Sequence, residues 1–132
     1  MCEDFVHALM KGEMVDEITR LPNEKLYEKL ESSGEHLWVI KIHVEMKGLD
    51  DSYKDIAISR VASVIKHSVR LPKDLVIRVG ERDFAIVMAD VDDNIAKLVA
   101  DRVKTNLRYL SLRIGDKTID IIPEVNLEEI KG

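Results

Sequence analysis

Glutamine is missing from this chain altogether, and cysteine nearly so: Cys2 stands alone among 132 residues. A lone thiol excludes an internal disulfide, and with no His or Cys beside it at ligand spacing it cannot build a zinc cluster. Cys2 therefore reads as a terminal thiol without a role. Long apolar runs are lacking too: the uninterrupted stretches are a few residues long, against the roughly 20 that a membrane helix needs. The N-terminus Met1-Cys2-Glu3-Asp4 is acidic where a signal peptide would be basic. The expectation is a cytoplasmic protein with no membrane contact. There is no excess of positive charge either, with Lys and Arg at 20, Asp and Glu at 25, a net charge of -5 and the signs interspersed. No basic stripe follows, which sets nucleic acid aside as a partner. Repeats, low-complexity tracts and linkers are also lacking.

What is there suffices for one packed domain spanning residues 1–132. Hydrophobic residues make up 45% of the chain and charged residues 34%, enough apolar material for a single core at this length. The abundance of Lys, Glu and Asp resembles the composition of heat-adapted proteins.

The periodicity predicts elements in a definite order. Phe5, Val6, Leu9 and Met10 share one face of a short helix over residues 3–14. Asn23 can cap a second helix over 24–32, with Leu26, Tyr27 and Leu30 as its apolar stripe before Gly34. Residues 37–44, rich in β-branched side chains, read as a central strand, and Lys47-Gly48-Leu49-Asp50-Asp51 as a turn. A helix spans 52–70, ending before Pro72. Residues 75–79 and 84–88 form two strands joined by a polar tip at 80–83. Asp92 or Asp93 caps a helix carrying Ile95, Leu98, Val99, Val103 and Leu107, and two short strands flank a Gly-Asp turn within 112–122.

The order β-α-β-β-α-β is the split βαβ pattern, an α+β, ferredoxin-like antiparallel sheet with helices. Right-handed crossovers place the strand of residues 84–88 between the other two, antiparallel to both. The end of the first strand then lies beside the tip at 80–83, and those segments form one site.

Two segments carry a resemblance. Asp16-Glu17-Ile18-Thr19-Arg20-Leu21-Pro22-Asn23 is similar to the D-x-L-T-G-L-P-N lead-in of diguanylate cyclase (GGDEF) domains. Asp74-Leu75-Val76-Ile77-Arg78-Val79-Gly80-Glu81-Arg82-Asp83-Phe84-Ala85-Ile86-Val87 resembles that family's D-L-V-A-R-Y-G-G-D-E-F-A-V-L. The likeness covers about residues 14–122, and the family's last helix, with Y-x-A-K, has no counterpart in Pro123 to Gly132. The resemblance implies a nucleotide-cyclase or palm-like fold and a place in bacterial cyclic di-GMP signalling. Family members condense two GTP molecules across a dimer, with metal ions bridging the phosphates.

Carried over residue by residue, the resemblance puts Ile42 at one metal-ligand position and Arg82 at another. Magnesium demands hard anionic oxygens, which neither side chain supplies. Glu81 stands where the family has a second glycine, adding a carboxylate beside the triphosphate site. The guanine-reading positions fall on Asp50 and Ser59. The inhibitory product motif R-x-x-D falls on Leu71-Pro72-Lys73-Asp74, keeping Asp74 and losing the Arg; Arg70 lies one place too early unless the loop bends to recover it.

Bland readings stand beside these. Gly80 serves a hairpin tip through positive φ or else contacts a ligand. Arg82 is a solvated turn residue, an ion-pair partner of Glu81 or Asp83, or a phosphate clamp. Asp50 and Asp51 cap a helix, His43 faces core or solvent, and Trp38 packs in the core. A one-residue slip could rebuild a metal site from Glu45, Glu81 and Asp83 on the other sheet face. The expectation is a degenerate, catalytically inactive domain with no catalytic residues, no metal and no cofactor, acting as a signalling or protein-interaction module. The alternatives are a non-catalytic sensor of GTP or cyclic di-GMP using Asp50, Ser59, Gly80, Glu81, Arg82 and Asp83, with Arg70 and Asp74 as an incomplete product site, and an active cyclase with a relocated metal. A protein partner or a homodimer is expected, because the short N-terminal helix and the missing last helix leave apolar surface uncovered.

Overall fold

A computed structural model describes residues 15–70 and 73–131. The helix expected over 3–14, Cys2 and Leu71 of the product motif lie outside these residues.

Helix α1 runs Glu24–Glu31 and is capped by Asn23, whose Oδ1 accepts from the Lys25 N–H at 3.0 Å. Ser32 ends it by returning its hydroxyl to the Glu28 carbonyl at 2.9 Å. Strand β1, Leu37–Lys47, is longer than the eight residues its apolar run marked out. Gly48, at φ 86°, turns the chain where a side chain would be strained. Asp50 caps a short 3₁₀ turn, Asp51–Tyr53, by accepting from the Ser52 N–H at 3.2 Å. Helix α2 follows over Lys54–Ser68, burying Ala57, Ile58, Val61, Ala62 and Ile65 at helical spacing. Strands β2, Asp74–Arg78, and β3, Asp83–Ala89, form the expected hairpin. Asp92 caps helix α3, Asp93–Arg108, through the Ile95 N–H at 2.9 Å.

The end of the chain departs from expectation. Strand β4 is short, Leu112–Ile114, but β5 runs Lys117–Ile130, well beyond residue 122. Pro123 and the interleaved acids of 124–129 hide this strand in the sequence. Proline is tolerated there because, among the described residues, nothing pairs with the outer side of β5 along that stretch, so no ladder donor is needed on that side.

The sheet order is β2-β3-β1-β5-β4. β3 lies between β1 and β2 and is antiparallel to both, as the crossover argument requires, and β1 is antiparallel to β5 from Leu37↔Ile130 to Lys47↔Asp120. One face of β1, carrying Ile40, Ile42, Val44 and Met46, packs with α2 and α3 in the larger core. The other face carries Leu37 and Val39, which join Leu26 and Leu30 of α1 in a smaller cluster. Leu26 and Leu30, 1% and 3% exposed, each contribute about 1.5–3 kcal/mol through burial. Trp38 packs half-buried against the larger core and meets His36 edge-on at 6.4 Å. The result is an α+β fold, a sheet with α2 and α3 on one face and α1 on the other. No helix among the described residues is long and apolar enough to cross a membrane.

Candidate functional site

The lead-in and the hairpin, far apart in sequence, are joined by Arg78. Its guanidinium donates to Asp16 at 3.1 Å, to the Gly80 carbonyl at 3.1 Å and to the Glu81 carbonyl at 2.8 Å. Asp16 is itself organised by its local turn, accepting from the Thr19 N–H at 2.8 Å and the Thr19 hydroxyl at 2.7 Å. Burial pushes the Asp16 carboxyl up, but hydrogen bonds from Thr19 and Arg78 outweigh it and hold it below the usual value. One side chain thus fixes the tip against the lead-in, a connection between segments 62 residues apart that no local spacing signals.

The end of β1 closes on the same tip, with the Val44 N–H donating to the Arg82 carbonyl at 3.0 Å. From there the two faces of β1 differ. His43 faces the α1 side, its Nδ1 2.7 Å from Asp83 Oδ1 and its Nε2 2.7 Å from Glu45 Oε1. A protonated imidazole donates to both, so Glu45 and then Asp83 raise the His43 pKa, and His43 in turn lowers that of Glu45. Arg82 reaches Glu45 at 3.5 Å, not Glu81 or Asp83 as expected, because β1 runs on past His43 and brings Glu45 beside the tip.

Gly80 also differs from expectation. Its φ is not positive; instead, a Cβ there would lie 2.7 Å from Asp83 Oδ2, so the absent side chain makes room for that carboxylate. The Asp83 carbonyl closes the tip, accepting from the Val79 and Gly80 N–H groups at 3.0 and 3.3 Å.

On the opposite face, Ile42 is 2% exposed and sits in the larger core with Phe84 and Ile86. The cavity between this face, α2 and the tip measures about 120 Å³ and is lined by Ile18, Met46, Ile58, Lys54, Arg78 and Arg82, with Asp55 and Glu81 completing it. Lys54 lies 3.9 Å from Glu81. Magnesium needs several oxygen ligands converging at about 2.1 Å, and the residues at the two carried-over ligand positions, Ile42 and Arg82, offer none. The relocated trio does not converge either: Glu45 and Asp83 are drawn together by His43, whereas Glu81 faces Lys54. Among the described residues, no three His, Cys, Asp or Glu side chains are grouped to hold a metal.

The remaining candidates divide. Gly80, Glu81, Arg82 and Asp83 sit together at the tip, but Asp50 is exposed and spent on its cap. Ser59 donates to the Ile18 carbonyl at 3.0 Å and lines a separate open depression of about 540 Å³ with Ile18, Asp55, Ile56, Arg60 and Ser63. Arg70 does reach Asp74, yet the two bind each other. Asp74, 1% exposed, accepts from the Arg70 backbone N–H at 2.8 Å and from its guanidinium at 2.7 and 3.1 Å. Asp74 is the cause of a raised Arg70 pKa.

Comparison with known proteins gives a consistent result. Residues 13–127 match the family model described as diguanylate cyclase, GGDEF domain. Probable diguanylate cyclase DgcT of Escherichia coli (strain K12) is 36% identical over 70 residues, 53% of this chain and 15% of that protein. Probable diguanylate cyclase DgcJ of the same organism is 30% identical over 93 residues, 67% of this chain and 18% of that protein. The chain thus spans less than a fifth of either curated relative. In fold it resembles diguanylate cyclase SiaD, solved in complex with its activator SiaC from Pseudomonas aeruginosa, with a TM-score of 0.74 at 24% identity, covering 96% of this chain and 53% of that one.

Proposed function

The chain belongs to the diguanylate cyclase GGDEF domain family, and from that premise we propose that it is a catalytically inactive member that serves cyclic di-GMP signalling as a protein-interaction module. One observation carries this reading: at the two positions where the family's metal ligands fall, Ile42 is packed into the core at 2% exposure and Arg82 is turned to Glu45. Neither group can donate an oxygen to a divalent cation, so the phosphates of GTP lack the charge neutralisation that phosphoryl transfer requires.

The size of the cavity supports the same reading. At about 120 Å³ it falls well below the roughly 300 Å³ at which small-molecule sites begin. Glu81 places a side chain at its rim where the family has a glycine, narrowing the close approach of a triphosphate. The product site is closed in the same sense, because the Arg70 guanidinium and the Asp74 carboxylate satisfy each other instead of facing outward for a ligand.

A second reading, a sensor that binds guanine nucleotide without turning it over, draws on the open depression of about 540 Å³ beside Ser59, which shares Ile18 and Asp55 with the small cavity. A thermal-shift titration of the whole chain separates the two. An interaction module gives no rise in melting temperature with GTP or cyclic di-GMP, with or without magnesium, whereas a sensor gives a rise without metal. A rise that requires both GTP and magnesium overturns the inactive reading.

A further inference from the structure

Among the described residues, the outer edge of β5 has no neighbouring strand over most of its length. β4 pairs with it only over Lys117, Thr118 and Ile119, so among the described residues nothing pairs with its outer side from residue 120 to residue 130. Which groups point outward follows from β1. The Val44 N–H bonds toward the tip, to Arg82, so the backbone of Val44 faces away from β5, and its partner Pro123 must likewise face away from β1. Alternation then directs the N–H and C=O groups of Val125, Leu127 and Glu129 outward, together with the Pro123 carbonyl, while Glu124, Asn126 and Glu128 bond to β1. No described residue satisfies those outward groups.

The two faces flanking this edge differ in chemistry. On the α3 side, Val125 and Leu127 line a groove of about 280 Å³ with Ala100, Lys97, Lys104 and Asp101. On the α1 side stand Asp120 and Glu124, across the ladder from Lys47 and His43 but in ion pairs with neither, and Ile122 at 41% exposure. A second copy of the chain fits poorly, because two-fold pairing of β5 with itself would gather both copies of Asp120 and Glu124 on one face.

We propose that this edge is a docking site for an extended segment of a partner protein that adds a sixth strand beside β5, with basic side chains facing Asp120 and Glu124 and apolar ones entering the groove at Val125 and Leu127. Main-chain hydrogen bonds supply the affinity and the alternating side chains the selectivity. The site is apart from the hairpin tip and stands whether or not the domain turns over nucleotide.

The test uses the isotope-labelled whole chain and two short synthetic peptides, one alternating valine with lysine and one alternating valine with glutamate. In the free protein the Val125, Leu127 and Glu129 amides should exchange with solvent quickly while those of Glu124, Asn126 and Glu128 are protected. The lysine peptide should shift and protect the outward amides, and the glutamate peptide should not. Val125→Pro removes one outward donor without touching the β1 ladder, and Glu124→Lys reverses the charge; each should weaken the lysine peptide about tenfold or more. Four results overturn the proposal: protection of the outward amides in the free protein, whether by residues 1–14 or by self-association; no binding of the lysine peptide; equal binding of both peptides; or binding that both variants leave unchanged.

Discussion

Replacing Arg70 with alanine should destabilise the protein without touching any apolar core residue. Asp74 is 1% exposed and accepts three hydrogen bonds, two of them from the Arg70 guanidinium at 2.7 and 3.1 Å. The third comes from the Arg70 backbone N–H and survives the substitution. Removing one partner of a fully buried ion pair costs about 3–5 kcal/mol because the other charge is left without compensation. Here the surviving backbone donor and the 30% exposure of the Arg70 side chain, which lets water in, reduce the cost. About 2–3 kcal/mol is the expected loss. With a urea slope of about 2 kcal/mol per molar, the midpoint of unfolding should fall by about 1–1.5 M with the slope unchanged. Lys73→Ala, an exposed neighbour in the same loop, should change stability by less than about 0.5 kcal/mol. A loss below that level for Arg70→Ala, or an equal loss for Lys73→Ala, would refute the claim that the pair is mutually satisfied.

Two further outcomes concern the tip. Gly80→Ala places a Cβ 2.7 Å from Asp83 Oδ2, so Asp83 must swing away from His43; chemical shifts of the His43 ring should change, at a cost of about 1 kcal/mol, and an unshifted ring would contradict the contact. His43, raised by Glu45 and Asp83, stabilises the fold fully below its ordinary 6.5 and loses that contribution as pH rises through its folded value, whereas Glu45, lowered by His43, contributes fully above 4.5 and loses its share as pH falls. The cluster is therefore strongest between those two values. Urea midpoints at about pH 5.5 and about pH 8.5 should show wild type losing more stability at the higher pH than His43→Gln does; parallel behaviour of the two would contradict the bridge.

Much of the fold was legible in the sequence because the elements obey simple periods. Leu26, Leu30 and the cap at Asp92 stand where spacing puts them. The strand order followed from handedness, and it brought the tip beside the end of β1. β5 is longer than the expected strand because Pro123 argues against a strand interior, even though Val125 and Leu127 alternate with Glu124, Asn126 and Glu128. The side-chain pairings were less legible, since they depend on which face a strand residue takes. His43 stood alone in sequence but lies between two carboxylates, one from its own strand and one across the ladder. Arg82 lies between Glu81 and Asp83 in the chain and yet pairs with Glu45, because β1 ends beside it. The closed Arg70–Asp74 pair was visible only as an arginine one place out of register.

Catalytic inactivity follows from a missing pair of carboxylates, and product formation tests it most directly. Purified chain incubated with GTP and magnesium, and resolved by chromatography, should yield no cyclic di-GMP above a protein-free control. Cyclic di-GMP accumulating in proportion to the protein added would contradict it.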